Sequence, residues 1–186
     1  MDLLTAIHTR QSVKKVLPDP VPQELVEKLL DAAIQAPNHY RNRPWRFVVI
    51  AGRARERLGD VMARSLARLI PGAPEAALEK ERAKPLRAPL LIAVGIDPPV
   101  PPNEIEVENI CAGAAAVENL LLAARGLGLG AMWRTGTAAR DPEVKAFLGF
   151  SPEHQIIAIL YIGYPDGEPV PPKRLSYADR TTWMAE

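Results

Sequence analysis

The residues able to do chemistry are few and sit at the ends of regular segments. Arg10-Gln-Ser-Val-Lys14 gathers a guanidinium, an amide, a hydroxyl and an ammonium within one short stretch. Such a set holds a phosphate through charge-assisted hydrogen bonds. Equally, Arg10 and Lys14 offset the carbonyl end of a helix dipole. Ala36-Pro-Asn-His-Tyr-Arg-Asn-Arg-Pro-Trp45 is a polar loop mixing aromatic and basic groups, read either as ligand-facing or as a surface loop pinned by Trp45. Trp133-Arg-Thr-Gly136 closes a strand, the usual place for a ligand contact in an open sheet and an ordinary place for a structural tryptophan.

Other chemistries lack their residues. His8, His39 and His154 lie far apart with no ligand-spaced partner, so no metal site is expected. No serine stands in a G-x-S-x-G elbow. Cys111 falls in an apolar stretch and reads as an inert packed thiol. Gly126-Leu-Gly-Leu-Gly-Ala131 spells the dinucleotide fingerprint G-x-G-x-x-A, but it follows a helix and precedes a strand. A fingerprint needs the opposite order, with helix-terminal amides meeting the pyrophosphate. Here the glycines read as a helix cap and a tight turn. No residue is assigned acid–base, nucleophilic or other catalytic chemistry.

The elements that must position these groups alternate along the chain. Residues 2–10 form a short amphipathic helix, and Pro22 opens a second that stops before Pro37. Residues 47–51 make a strand, 53–69 a charged helix with a narrow apolar stripe, 75–84 a polar helix and 90–96 a second strand. From about 103 to 125 runs a helix apolar nearly all round, with only Glu118 and Asn119 polar between Ile110 and Ala124. It belongs inside the molecule or against a partner subunit, being too short and too charged to span a bilayer. A strand at 129–133, a helix capped by Asp141 and a strand at 156–162 follow. Strands separated by helices give an α/β or α+β domain without repeats.

Composition narrows the partners. The chain has 186 residues, 47% apolar and 24% charged, so it can bury a sizeable core as one domain over 1–186. Its net charge of +1 recruits neither nucleic acid nor an anionic membrane. Cys111 is the single cysteine, which forbids an internal disulfide and suits a reducing compartment. With no basic and apolar leader at the start, a cytoplasmic protein is expected. Of the 19 prolines eleven cluster at 18–22, 98–102 and 165–172, marking rigid connections and an extended terminal arm. Arginines outnumber lysines 16 to 7, which suits bidentate anion recognition and equally reflects a GC-rich genome.

Taken in order, these segments resemble the FMN-dependent nitroreductases, closest to the small, compact bacterial members. The match runs over essentially the whole chain. It comprises a first helix ending R-x-S at Arg10 and Ser12, then Ala36-Pro37 and Pro44-Trp45 before a strand. The apolar central helix, the G-L-G turn leading to Trp133, and Ile162-Gly-Tyr-Pro165 complete it. The resemblance implies an α+β fold with a central, mostly antiparallel sheet flanked by helices, in a homodimer with exchange of the C-terminal arm at 164–186. It implies FMN at the subunit interface and NAD(P)H as hydride donor, reducing nitroaromatic or quinone-like acceptors by a ping-pong scheme at flavin N5. Such a scheme needs two stacked rings held in place more than an acid or base.

By the same resemblance Arg10 and Ser12 bind the phosphate and ribityl end, with Gln11 adjacent. Lys14 lies near the pyrimidine edge, where a cation stabilises the charge of reduced flavin. Asn38 and His39, helped by Gln35, reach the cofactor from the other subunit. Trp133, Arg134 and Thr135 lie beside the ring, and Arg174, with Lys173 as its rival, grips the phosphate. The chain departs from the family's S-x-x-N-x-Q pattern before P-W, carrying Asn38, Arg41 and Arg43. Those arginines point to an anionic substrate or NADPH, or simply face solvent. A different class of function on the same scaffold is an FMN-binding storage or redox-sensing protein with little turnover.

Overall fold

The run Leu90–Ile96 (β2) is buried at every position, as a strand covered on both faces must be. In the computed structural model, which describes residues 1–185, it lies between Trp45–Ala51 (β1) and Gln155–Gly163 (β4), with Gly130–Arg134 (β3) outermost. The sheet order is β1-β2-β4-β3 and every pairing is antiparallel. Six helices flank it: Leu3–Thr9 (α1), Gln23–Ile34 (α2), Arg53–Leu69 (α3), Glu75–Arg82 (α4), Glu106–Gly126 (α5) and Pro142–Phe147 (α6). On one face α2 and α5 bring Leu29, Ala33, Val117 and Leu120 onto Ile92, Val94 and Leu160. On the other, Leu58, Met62 and Val144 of α3 and α6 meet Leu91, Ala93 and Ile159. The fold is α+β, as expected.

Caps fix the ends. The Asp2 side chain accepts the Thr5 N–H at 3.0 Å and starts α1. Asp141 accepts the N–H groups of Glu143 and Val144 to start α6. It also takes the Ser65 hydroxyl at 2.5 Å and pairs with Arg68, which ties the start of α6 to α3. The glycine pair after α5 stops the helix, as its sequence context required. Gly128 has φ 78, and the Leu129 N–H returns to the Ala124 carbonyl at 2.8 Å.

The central helix corrects two expectations. At 21 residues with mean hydropathy 1.3, α5 is long and apolar enough to cross a membrane by those measures alone. Its packing against α2 and the sheet makes it a core helix instead. Cys111, expected to be packed, is exposed. It shares the helical spacing of Val107, Ala114 and Glu118, whereas Ala112, Ala116 and Leu120 face inward. Apolar composition all round hid which face turns in.

Beyond β4 the chain carries only a short turn of helix at Ala178–Arg180, and Leu175, Tyr177, Trp183 and Met184 stand exposed. Glu186 lies outside the described residues.

Two glycines separate overpacking from tolerance. A Cβ on Gly59 of α3 would stand 2.2 Å from the backbone carbonyl oxygen of Arg82, which cannot yield without moving α4. A Cβ on Gly113 would meet only the ends of the Ile96 and Ile157 side chains, at 2.2 and 2.9 Å. Alanine gains about 1 kcal/mol over glycine inside a helix, while overpacking costs about 1–3 kcal/mol. Gly59→Ala is therefore expected to lower the unfolding free energy by about 1–2 kcal/mol, and Gly113→Ala to change it by less. Urea denaturation of both variants checks the contrast; equal shifts would contradict it.

Candidate functional site

β3 is an edge strand, and its free side carries the site. The Val13 N–H donates to the Ala131 carbonyl at 3.0 Å from outside the sheet. Ala131 therefore aims its backbone groups away from β4, and with period two Trp133 does the same. A Cβ on Gly130 would stand 2.8 Å from Val13, so only glycine lets this segment lie so close. Further on, Leu17 N–H donates to Tyr164 at 2.7 Å and Asp166 N–H to Lys15 at 3.1 Å, fixing residues 12–17 across the end of the sheet.

At that end the structure gathers four of the residues singled out in the sequence. Arg10 follows α1 and places its Nε 3.2 Å from Glu118 Oε1 of α5. Gln11 is half-buried beside it, and Ser12 bridges Ala131. Arg174 returns from the arm and donates Nη2–H to the Arg10 carbonyl at 3.3 Å. Arg125 donates to the Thr9 hydroxyl at 3.0 Å and adds a third guanidinium. Three guanidinium groups and the Ser12 hydroxyl, on a segment held against the β3 edge at Ala131, form a donor set suited to a dianionic phosphate. Lys14 is exposed nearby.

The other end of β3 holds Trp133, Arg134 and the turn at 135–137, where Gly136 has φ 71. The Trp133 indole donates to the Ile157 carbonyl at 2.8 Å, a strut rather than a free group. The Arg134 guanidinium turns to the opposite face and lies 5.7 Å from the centre of the Tyr161 ring. Thr135 is exposed on the turn.

Gln35, Asn38 and His39 do not join them within one chain. They belong to the end of α2 and the loop leading into β1, which is the opposite edge strand of the sheet from β3. Gln35 donates to the Asp31 carbonyl at 3.2 Å, and Asn38 Oδ1 accepts the Arg43 N–H at 3.0 Å. His39 Nδ1 lies 2.6 Å from Glu108 Oε2 near the start of α5. Tyr40, Arg41 and Arg43 have φ of 50, 56 and 50, a left-handed path that non-glycine residues hold only when surroundings impose it. Here Asn42 donates to Asn109 Oδ1 at 2.6 Å, and buried Asn109 donates on to Glu104 at 3.2 Å. The Asn109 bond holds the Glu104 carboxyl below the usual range. Arg41 and Arg43 are exposed. Beside the loop an apolar groove of about 410 Å³ runs past His39, Val107, Cys111 and Ala115 on the outer face of α5.

Sequence reading missed Glu118, Arg125 and the Asn42–Asn109–Glu104 chain. Glu118 had a signal, being one of two polar residues in an apolar run. The others depend on pairings between distant segments.

The sequence model of the Nitroreductase family matches residues 7–164. The provisionally named NAD(P)H nitroreductase YdjA of Escherichia coli strain K12 is 34% identical over 170 residues, spanning 89% of each chain. Among solved structures, a nitroreductase-like family protein of Bacillus cereus is 26% identical and superposes with a TM-score of 0.86, covering 100% of this chain and 97% of its own. A Desulfovibrio desulfuricans chain solved in complex with FMN is 26% identical, with a TM-score of 0.74 over 100% of this chain and 98% of its own.

Proposed function

The chain belongs to the nitroreductase family of oxidoreductases, and we propose that it is an FMN-dependent NAD(P)H oxidoreductase acting on nitroaromatic or quinone-like acceptors. The observation carrying this reading is the convergence of Arg10, Ser12 and Arg174 at one end of β3, beside the edge that Ser12 and Val13 bridge. Arg10, Arg174 and Ser12 hold the phosphate, with Gln11 and Lys14 beside the ribityl chain and the pyrimidine edge. Trp133 and Thr135 border the ring along the strand edge and turn. Arg134 contributes through its place in the strand, its guanidinium facing elsewhere. FMN held by these residues would supply the hydride-transfer chemistry between NAD(P)H and the acceptor, in the ping-pong scheme proposed.

The protein's own work is to orient and to exclude water, and no side chain is assigned a catalytic proton. Gln35, Asn38 and His39 serve the second site of a homodimer, which their distance from β3 within one chain supports. The exposed apolar residues of α1, α5 and the arm supply the interface: Leu3, Ile7, Val107, Leu175 and Trp183. The whole chain then acts as one FMN-binding unit, its arm embracing the partner. An exposed single thiol suits a reducing cytoplasm.

An absorption spectrum of the purified protein tests the reading. Flavin bands that bleach under anaerobic NADPH or NADH and return with a nitroaromatic are the expected result. A protein that holds FMN yet shows no steady-state flux would be a storage or sensing protein instead. One that retains no added FMN would refute both.

A further inference from the structure

Behind the turn at 135–137, on the α3 side of the sheet, lies a cavity of about 160 Å³. A water's share of liquid volume is roughly 30 Å³, so the space exceeds what one ordered water fills. Its walls include Glu81, Lys84, Arg134 and Tyr161, with Met62 and Ile159 as an apolar side. Glu81 is buried and already paired with Lys84. Tyr161 is 8% exposed as a residue and lines the cavity. Arg134 has no carboxylate partner among the described residues, only the face of the Tyr161 ring. A hydroxyl and a guanidinium that face the cavity with no carboxylate of their own can both donate to an anion that enters it.

We propose that this cavity binds a small carboxylate carrying a short apolar body, held by Arg134 and the Tyr161 hydroxyl. Two cations against one carboxylate leave the walls net positive, which selects an anion. The planar guanidinium fork matches a carboxylate in two-point fashion. Met62 and Ile159 accept the apolar part. Burial pushes the Tyr161 phenol up, the nearby charges of Arg134 and Arg87 opposing that, so it remains a donor at neutral pH. The cavity lies on the face of the sheet away from α5 and shares the turn residues Thr135 and Gly136 with the proposed flavin site, but the anion contacts are assigned to Arg134 and Tyr161.

Calorimetric titration of the purified protein with benzoate, and with benzamide as its neutral isostere, tests the proposal. Saturable binding of benzoate is expected, with none for the amide. Tyr161→Phe keeps the ring under Arg134 but removes the donor, and is expected to weaken benzoate about tenfold, the usual loss for one hydrogen bond to a charged group. Lys84→Gln keeps a donor to Glu81 while removing a cation, and is expected to weaken it too. Benzoate without saturation, benzamide binding as well, or affinity untouched in both variants would overturn the site. Because heat is read rather than turnover, the result stands whether or not the protein reduces nitroaromatics.

Discussion

Arg10→Ala is expected to yield a folded protein that loses FMN on gel filtration. The guanidinium's partner in the free chain is Glu118, at 3.2 Å, with the two side chains 22% and 48% exposed. Exposed ion pairs of this kind contribute about 0–1 kcal/mol, so thermal stability of the flavin-free protein should hardly move. A hydrogen bond to a phosphate dianion is worth about 1.5–3 kcal/mol. At about 1.4 kcal/mol per decade, the FMN dissociation constant should rise roughly 10- to 100-fold. Arg10→Lys keeps the charge but not the fork, and should fall between the variant and the parent. Fluorescence titration with FMN measures all three. Unaltered affinity in Arg10→Ala would place the phosphate elsewhere and dissolve the cluster with Arg174.

The part of this site that was legible in the sequence is the part that local chemistry determines. Pro22 and Asp141 mark helix starts because a missing N–H and a capping carboxylate act within one turn. The glycines after α5 announce a stop for the same reason, and the helix ends at Gly126. Strand order is different: β3 follows α5 in the chain, yet lies outside β4, a placement fixed by long-range pairing. Which side chain turns to which face of β3 follows from that pairing. So the Arg134 guanidinium comes to lie over Tyr161, on the face opposite the Trp133 side chain. The left-handed path of Tyr40, Arg41 and Arg43 has no sequence signal, since glycine is absent and the cause is a hydrogen-bond chain to Asn109 on α5. The exposure of Cys111 was hidden because alanine, valine and leucine on every side of α5 erase the amphipathic phase.

In the proposed homodimer, ending the chain after Asp166 is expected to break both association and FMN retention, and the two losses can be told apart. The arm holds Leu175 at 96%, Tyr177 at 72%, Trp183 at 83% and Met184 at 95% exposure, with little among the described residues to cover them. Burying one such side chain gains about 1.5–3 kcal/mol. Four could contribute of the order of 6–12 kcal/mol against the cost of ordering the arm. If about 4 kcal/mol survives, its removal weakens association about a thousandfold. Sedimentation across a concentration series should then show monomer where the full chain is dimeric. Arg174→Ala removes only the guanidinium that meets the Arg10 carbonyl. That variant should stay dimeric while FMN binds about tenfold more weakly. A truncated chain that remains a tight dimer would show that α1 and α5 suffice for the interface, and the arm would then have no part in it.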